Sequence, residues 1–252
     1  MKKLISLLAL VGLSANLFTA HAQLFGGPGS SAPDLSGAMK KLFGDNPNFT
    51  AAVEVQVKGD SGDMTMPGKM TCSDGKSRFE MDMTEAKGGK TKAADMARMK
   101  EMGMDKMVMV TLPEKKLSYL IYPGLESYTE MPINHPDAAK TAADYQLTVT
   151  ELGKETVDGH ACVKNKVEIS DKDGKKHEYT VWNATDLKKF PVKVETNESK
   201  SAMTLLFKDV KFDKPEASQF EPPATYQKYN SMMSMMQQQM MKRMGNRQPA
   251  PK

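Results

Sequence analysis

Residues 116–132, KLSYLIYPGLESYTEMP, constrain the fold more than any other stretch of this chain. β-Branched and aromatic residues occupy both phases of an alternating segment over residues 117–122, and Pro123-Gly124 then separates it from a second alternating segment. This pattern is typical of a strand, a turn and a second strand. Because the first strand is apolar on both sides for half its length, we expect both of its faces to be covered, by a second layer or by a bound ligand.

A period of two recurs along most of the chain between residues 49 and 212, where apolar and polar residues alternate in short segments. Gly-containing turns separate these segments, and Asp74-Gly75 is typical of a two-residue hairpin. The apolar phase of the last segment changes near Lys208-Asp209, which predicts a β-bulge there. Short connections of this kind predict an antiparallel sheet of about nine to eleven strands.

Three further segments have the spacing of helices. Apolar residues recur at helical spacing in residues 34–44, and methionines fall three apart in residues 96–102 before Gly103, which is expected to end that helix. Residues 227–244 carry a stripe of tyrosine and methionine at intervals of three and four. The predicted class is therefore mainly β (α+β), with a short N-terminal helix, one Met-rich helical excursion and a Met-rich C-terminal helix.

Residues 1–22 contain two lysines, an apolar run and a final Ala-His-Ala, an order that is typical of a secretory signal peptide. We therefore expect a bacterial protein that is exported, periplasmic or secreted, with a mature chain beginning at Gln23. No later stretch approaches the roughly 20 apolar residues of a membrane-spanning helix. The predicted organisation is a signal peptide (1–22), a flexible lead-in (23–33), a β domain (34–223) and a Met-rich basic amphipathic tail (224–252).

The charge of the chain argues against nucleic acid as a partner. The formal net charge is +4, and it falls to +2 when the two lysines of residues 1–22 are removed. Non-specific nucleic-acid binding needs a concentrated basic surface, which a nearly neutral chain does not supply.

Sequence motifs give little support for catalysis. Residues 59–62, GDSG, resemble the nucleophile motif of trypsin-like proteases, but no histidine of the mature chain has the context that this chemistry requires. Residues 171–174, DKDG, resemble the start of a calcium loop, whose twelfth position would here be Trp182 in place of a glutamate. Walker, dinucleotide-binding, HExxH and CxxC motifs are absent from the sequence. We expect no enzymatic activity and no cofactor.

The chain has two cysteines, Cys72 and Cys162, both in predicted strands. An oxidising compartment would allow them to form one disulfide, which would close a loop of about 90 residues and add ~4–5 kcal/mol in the chain-entropy model. We expect this disulfide, and the alternative is two unpaired thiols with one of them in the core.

Methionine is unusually frequent, at 22 residues, and is concentrated in residues 96–109 and 232–244. One interpretation is helix packing, and a second is an apolar surface that adapts to variable partners, since methionine is flexible and polarizable. A third is thioether ligation of a soft metal ion such as Cu(I). The candidate ligands for such a metal are Met96, Met99, Met102, Met236 and Met240.

The C-terminal tail is basic. No acidic residue follows Glu221, whereas five lysines and arginines do: Lys228, Lys242, Arg243, Arg247 and Lys252. The tail is interpreted as a solvated end, as a lid over the sheet, or as a contact with an anionic membrane surface.

Four segments resemble uncharacterised exported families with the lipoprotein-carrier (LolA/LolB-like) fold: residues 119–132 (YLIYPGLESYTEMP), 151–162 (ELGKETVDGHAC), 192–196 (VKVET) and 206–226 (LFKDVKFDKPEASQFEPPATY). The resemblance covers most of residues 47–229, and the final strand followed by F-x-P-P is its most specific part. It implies a strongly curved antiparallel sheet, or a half-open barrel, with a helix on the concave side. Such a fold would accommodate an acyl chain or another apolar group.

The function that follows is an exported, non-enzymatic binding protein for a lipid, acyl chain or lipoprotein-like hydrophobic ligand at the cell envelope. The alternatives are a Met-rich copper-binding module and a structural envelope protein without a small ligand. The pocket candidates, chosen as bulky residues on predicted strands, are Tyr119, Ile121, Tyr122, Tyr128, Trp182, Leu205 and Phe207.

Overall fold

A computed structural model describes residues 41–58, 62–89, 93–133, 145–171, 174, 176–196 and 202–245. The expected signal peptide (1–22), the lead-in (23–33) and most of the predicted N-terminal helix lie outside these residues. Within the described ranges the chain is mainly β, with thirteen strands and two helices. No helix in these ranges has the length and apolar character needed to cross a membrane.

The two helices are α1 (Ala93–Glu101) and α2 (Met232–Gly245). The strands are β1 (Phe49–Lys58), β2 (Met64–Ser73), β3 (Lys76–Asp82), β4 (Lys87–Gly88), β5 (Lys106–Leu112), β6 (Leu117–Tyr122), β7 (Ser127–Pro132), β8 (Tyr145–Val157), β9 (His160–Asp171), β10 (Lys176–Ala184), β11 (Pro191–Thr196), β12 (Ala202–Lys211) and β13 (Gln227–Tyr229).

All thirteen strands belong to one sheet, in the order β13-β7-β6-β5-β3-β2-β1-β12-β11-β10-β9-β8, with β4 paired to β2. Every pairing is antiparallel except that of β13 with β7. The sheet is neither closed nor strongly curled, so the predicted strong curvature or half-open barrel is wrong. Closure would require the two edge strands to pair, and β13 and β8 lie at opposite ends of the order.

The count of nine to eleven strands is also wrong, because the thirteen include two very short ones. β4 has two residues and β13 has three. A segment of that length is too short for an alternating pattern to indicate a strand. Residues 227–229 were instead predicted as the start of the C-terminal helix, which begins only at Met232. Pairing of Tyr229 with Thr129 of β7 overrides the helical spacing there.

The predicted Asp74-Gly75 hairpin and the bulge are confirmed, whereas most of the Gly-containing turn at residues 59–62 lies outside the described residues. Asp74 and Gly75 have φ values of 48° and 84°, which is the left-handed pair that a two-residue hairpin between β2 and β3 requires. The register between β1 and β12 shifts near Lys208, and Asp209 has a φ of 52°. This is the bulge expected from the change of apolar phase. The Met-rich excursion is α1, which Gly103, with a φ of 69°, follows in a left-handed conformation.

Strand register sorts the side chains onto two faces, because directly opposite residues of neighbouring strands point the same way. All the methionines that lie within the strands project from one face, which we name the methionine face: Met64, Met66, Met70, Met81, Met107, Met109, Met131 and Met203. Val53 and Val55 of β1 share it and are buried. The alternation of apolar with polar residues therefore separates the sheet into chemically distinct faces.

The opposite face, which we name the charged face, carries ion pairs between and along neighbouring strands. They join Glu54 to Lys208, Lys166 to Glu178, Lys176 to Glu168 and Lys193 to Glu195. Such partly exposed pairs contribute about 0–1 kcal/mol each to the stability of the fold. Their main effect is therefore to keep this face hydrated.

Four phenylalanines form the core at the methionine face of β1 and β12. Phe43, from the segment before β1, has its ring centroid 4.6 Å from that of Phe49 and 5.2 Å from that of Phe190. Phe207 of β12 packs edge-on to Phe43 at 5.6 Å. Aromatic pairs at these distances add about 0.5–1.5 kcal/mol beyond the burial of their area.

Both faces of β6 are covered, as its two-sided apolar pattern predicts. On the charged face, Ile121 joins a buried cluster with Val110 of β5 and Phe220, which lies in a 3-10 turn after β12. On the methionine face, Tyr122 contacts α2 through Met232. The cover is a second layer that the chain supplies from its own C-terminal region.

Candidate functional site

The seven predicted pocket residues lie on both faces of the sheet and do not form one pocket. Tyr122, Leu205 and Phe207 project from the methionine face. The other four project from the charged face: Tyr119, Ile121, Tyr128 and Trp182. Only the first three therefore share a surface with the strand methionines.

Trp182 is held by charged neighbours. Its indole Nε1 donates a hydrogen bond to Glu155 Oε2 at 2.7 Å, and the Nζ atoms of Lys193 and Lys164 lie 4.2 Å and 5.0 Å from its ring centroid. Lys164 also donates to Glu155 Oε1 at 2.8 Å. The ring is 3% exposed, so its surface is already occupied by these side chains.

Tyr119 and Tyr128 form an edge-to-face pair on the charged face, with centroids 5.7 Å apart. Both pack against the cluster that contains Val110, Ile121 and Phe220. Desolvation raises the pKa of Tyr119, and the nearby carboxylate of Glu130 raises it further. These two tyrosines therefore serve as part of a small second core.

Helix α2 covers the methionine face at β6, β7 and β13 through weak polar contacts and one deeply buried side chain. Tyr122 Oη donates to Met232 Sδ at 3.5 Å, and Gln239 Nε2 donates to Ser127 Oγ at 3.4 Å. Burial raises the pKa of Tyr122, so its hydroxyl stays protonated and is the donor. Met235 is fully buried.

Beneath α2 lies a polar group of side chains that we name the covered strip: Tyr122, Ser127, Thr129 and Tyr229. Thr129 and Tyr229 are 1% and 4% exposed, and they lie opposite each other in the register of β7 and β13. Within the described part of the chain, neither Thr129 Oγ1 nor Tyr229 Oη has a hydrogen-bond partner. Since an unpaired buried polar group costs about 1–3 kcal/mol, these two hydroxyls are suited to a guest or to ordered water.

A second feature of the methionine face is a row of half-buried apolar side chains at one end of β2, β1 and β12. Val57 lies opposite Met64 on one side and Met203 on the other. In the next row inward, Met66 and Val55 are almost completely buried. The methionine face is therefore buried at its centre and partly exposed at this end. We name the half-buried residues Met64, Val57 and Met203 the open row.

Sequence reasoning missed the polar members of the covered strip. Ser127 and Thr129 alternate in the second strand of the hairpin at residues 117–132, in the same phase as each other. Both are 1% exposed. Their shared phase indicated that the two side chains lie on the same face of the strand. Only the register with β6 and the position of α2 show that this face is buried.

The predicted metal ligands belong to two separate helices. Met96 and Met99 are half-buried on α1, Met102 is half-buried just after it, and Met236 is half-buried on α2. The side chain of Met240 lies outside those described. Among the described residues, no group of three or more His, Cys, Asp or Glu side chains is placed to hold a metal ion. Thioether ligation by these methionines stays a prediction.

The structure differs from the expected disulfide, since Cys72 and Cys162 are both free thiols. Cys72 projects from the methionine face of β2 and Cys162 from the charged face of β9. Four strands lie between β2 and β9, so the two sulfur atoms cannot meet without rearrangement of the sheet. Burial raises the pKa of the Cys72 thiol to about 12, which makes it unreactive at neutral pH.

A shallow concavity of about 430 Å³ lies at the end of the β8–β9 hairpin. Its lining mixes polar and apolar side chains: Lys154, Glu155, Thr156, Ala161, Cys162, Val163 and Thr185. None of the seven predicted pocket residues is among them.

Comparison with known families and structures gives one family match. The model described as "Domain of unknown function (DUF4412)" matches residues 49–190, which is more than half of the chain. A comparison with curated proteins finds no match. The family match confirms the predicted resemblance to an uncharacterised family.

Several solved structures are similar to this chain at low identity. The LolA superfamily protein NE2245 from Nitrosomonas europaea is 10% identical, with a TM-score of 0.42, covering 72% of this chain and 93% of that one. Lipoprotein LppX from Mycobacterium tuberculosis is 12% identical, with a TM-score of 0.39 and coverage of 71% and 96%. LprF from Mycobacterium bovis is 15% identical, with a TM-score of 0.40 and coverage of 76% and 95%.

Proposed function

We propose, from the premise that this chain belongs to the family described as a domain of unknown function (DUF4412), that it is an exported, non-enzymatic protein that binds an amphipathic lipid on its methionine face. The observation that carries this proposal is that every methionine within the described strands projects from the same face of the sheet. Methionine side chains are flexible and polarizable, so a surface built from them accommodates acyl chains of different shapes.

The open row supplies the entry for the acyl chain. Met64, Val57 and Met203 are half-buried and lie in register across three strands. Beside them, Leu205 is also half-buried, whereas Phe207 belongs to the phenylalanine cluster. An acyl chain laid on this row would bury apolar surface at about 25 cal/mol per Å², which favours binding without any specific polar contact.

The covered strip favours a ligand with a polar head over a pure hydrocarbon. Thr129 Oγ1 and Tyr229 Oη are buried without partners in the described structure, and a carboxyl, ester or hydroxyl group would satisfy them. Access requires α2 to move. The two polar contacts that hold α2 to the strip, at 3.4 Å and 3.5 Å, are long enough to be exchanged for ligand contacts at little cost.

The proposal is tested on protein recovered from the envelope of the cells that export it. Native mass spectrometry should show a co-purifying lipid, and palmitic acid added to delipidated protein should raise its melting temperature. A bare protein mass together with an unchanged melting curve would contradict lipid binding.

Two variants test the place of the polar head. Thr129→Val and Tyr229→Phe each remove one hydroxyl at nearly constant volume, and each should weaken palmitate binding about two- to tenfold, the range expected for one hydrogen bond. Thr148→Val, at an exposed position of β8, is the matched control and should bind as the unchanged protein does. Hexadecane, which lacks a head group, should not distinguish the three variants. Equal palmitate affinity in all three variants would show that the covered strip does not bind the polar head of the ligand.

A further inference from the structure

The outward side of α2 presents an apolar surface that the sheet does not use. Met233 and Met241 are 61% and 64% exposed, more than the other large apolar side chains that the structure describes as exposed. They lie eight residues apart, which corresponds to about 12 Å along the helix axis and places both within one outward arc. Met235, on the inward side, is fully buried. The helix is therefore apolar on two sides, and the fold covers only one of them.

The charge around this helix has one sign. α2 contains Lys242 and Arg243 and no acidic residue, and Arg247 and Lys252 follow it in the sequence. From residue 222 to residue 252 the chain has five lysines and arginines and no acid. Exposed apolar side chains on a helix with basic residues at its end are the combination that holds interfacial helices on anionic bilayers.

We propose that the outward side of α2 docks on an anionic membrane surface, with Met233 and Met241 inserted among the head groups and the basic charge at the end of the helix attracting lipid phosphates. Lys242 Nζ donates to Gln227 Oε1 at 3.2 Å, so on docking this side chain would exchange that neutral partner for a phosphate. An acidic protein partner would also meet the basic charge. It would not explain why Met233 and Met241 are unbranched and apolar while the exposed positions between them, Gln237 and Gln238, are uncharged. The proposal does not depend on lipid binding at the methionine face, since the two surfaces lie on opposite sides of the helix.

The test is flotation of the exported, purified protein with vesicles of phosphatidylglycerol and phosphatidylcholine in equal parts, at 20 mM and at 300 mM NaCl. We expect binding at low salt, a strong decrease at high salt, and none to pure phosphatidylcholine. The double variant Lys242→Gln/Arg243→Gln should lower the partition coefficient about 25-fold, at about fivefold per charge. The double variant Met233→Ser/Met241→Ser should lower it about threefold to tenfold per residue.

Matched controls separate α2 from the rest of the surface. Leu152→Ser replaces an exposed leucine of β8, and Lys115→Gln replaces an exposed lysine of the turn after β5. Neither should change vesicle binding. Because all variants share the same N-terminal region, a contribution from that region would appear equally in each of them.

A second measurement needs no variant. Peroxide should oxidise Met233 and Met241 rapidly in the free protein, and anionic vesicles should protect these two sites while the half-buried Met96 of α1 oxidises at an unchanged rate. Absence of vesicle binding would overturn the proposal. Vesicle binding that is unchanged in the α2 variants would also overturn it, and so would oxidation of Met233 and Met241 at the same rate with and without vesicles. Capture of an acidic protein by a chain that ignores anionic vesicles would overturn it in favour of a protein partner.

Discussion

Tyr122 Oη donates its hydrogen bond to the thioether sulfur of Met232 at 3.5 Å, and this contact joins the last residue of β6 to the first turn of α2. Sulfur is a weak acceptor, so the hydroxyl gains little from it. The helix is held mainly by the burial of Met235. Helix α2 is therefore held firmly enough to be ordered, and its attachment is weak enough for a ligand to displace it.

The attachment of α2 can be tested by comparing two variants. Tyr122→Phe removes only the hydroxyl and should change the stability of α2 docking by about 1 kcal/mol or less. Met235→Ala removes a fully buried side chain and should weaken docking by about 2–5 kcal/mol. Hydrogen exchange of the α2 amides should therefore accelerate strongly in Met235→Ala and only slightly in Tyr122→Phe. The reverse order would show that the hydroxyl contact, and not the methionine, holds the helix.

The contact between Trp182 and Glu155 predicts a pH dependence of the tryptophan emission. Hydrogen bonds from Lys164 and then from Trp182 hold the pKa of Glu155 below its ordinary value of 4.5. A lowered folded pKa gives stabilisation that is present above pH 4.5 and is lost as the pH falls through the folded pKa. The emission of this single tryptophan should therefore change below pH 4.5.

Glu155→Gln supplies the control for that titration. The amide oxygen still accepts from the indole, but it does not titrate, so the emission change between pH 4.5 and pH 3 should disappear. An identical titration in this variant would show that the change does not arise from Glu155.

Gly103 and Gly124 meet backbone to backbone, where the end of α1 passes the turn between β6 and β7. A Cβ atom on Gly124 would lie 2.6 Å from the carbonyl oxygen of Gly103 and 2.9 Å from its Cα. Gly124→Ala should therefore destabilise the protein by about 1–3 kcal/mol and loosen α1. Chemical denaturation and hydrogen exchange of α1 measure the two effects.

Gly159→Ala is the comparison for that variant. Gly159 has a φ of 84° and open space around its Cβ position, so its substitution strains the backbone of the β8–β9 turn without touching α1. Loosening of α1 to the same extent in both variants would show that the effect of Gly124→Ala is global.

The oxidation state of the two cysteines tests the strand order, because the sequence suggested a disulfide and the structure has two free thiols. Because Cys72 and Cys162 project from opposite faces, the protein should contain two free thiols. Alkylation in denaturant without a reducing agent should label both, and alkylation of the folded protein at neutral pH should be slow at Cys72. A chain that takes up the label only after reduction would contradict the strand order.

Local features were predictable because they depend on residues close together in the chain. The Asp74-Gly75 hairpin follows from the conformations that Asp and Gly adopt, and the bulge at Asp209 follows from a change of phase within one strand. The α1 helix and the two-sided cover of β6 are of the same kind. Each pattern is complete within a few residues.

The curvature of the sheet, the strands β4 and β13 and the division of the pocket candidates were not predictable in this way. Whether Tyr119 or Tyr122 lies with the methionines depends on the register of β6 with both of its neighbours. Tyr229 joins the sheet because β7 presents a free edge to it. These outcomes are decided by segments far apart in the chain.

By itself, the sequence determined which segments are extended, where the chain turns, and that most strands alternate apolar with polar side chains. Only the tertiary structure decided that those sides add up to one continuous face, that Ser127, Thr129 and Tyr229 are buried under α2, and that Cys72 and Cys162 are apart. The physical reason is that periodicity and turn geometry act over a few residues. Register, strand order and the placement of a covering helix are settled by the burial of apolar surface over the whole sheet.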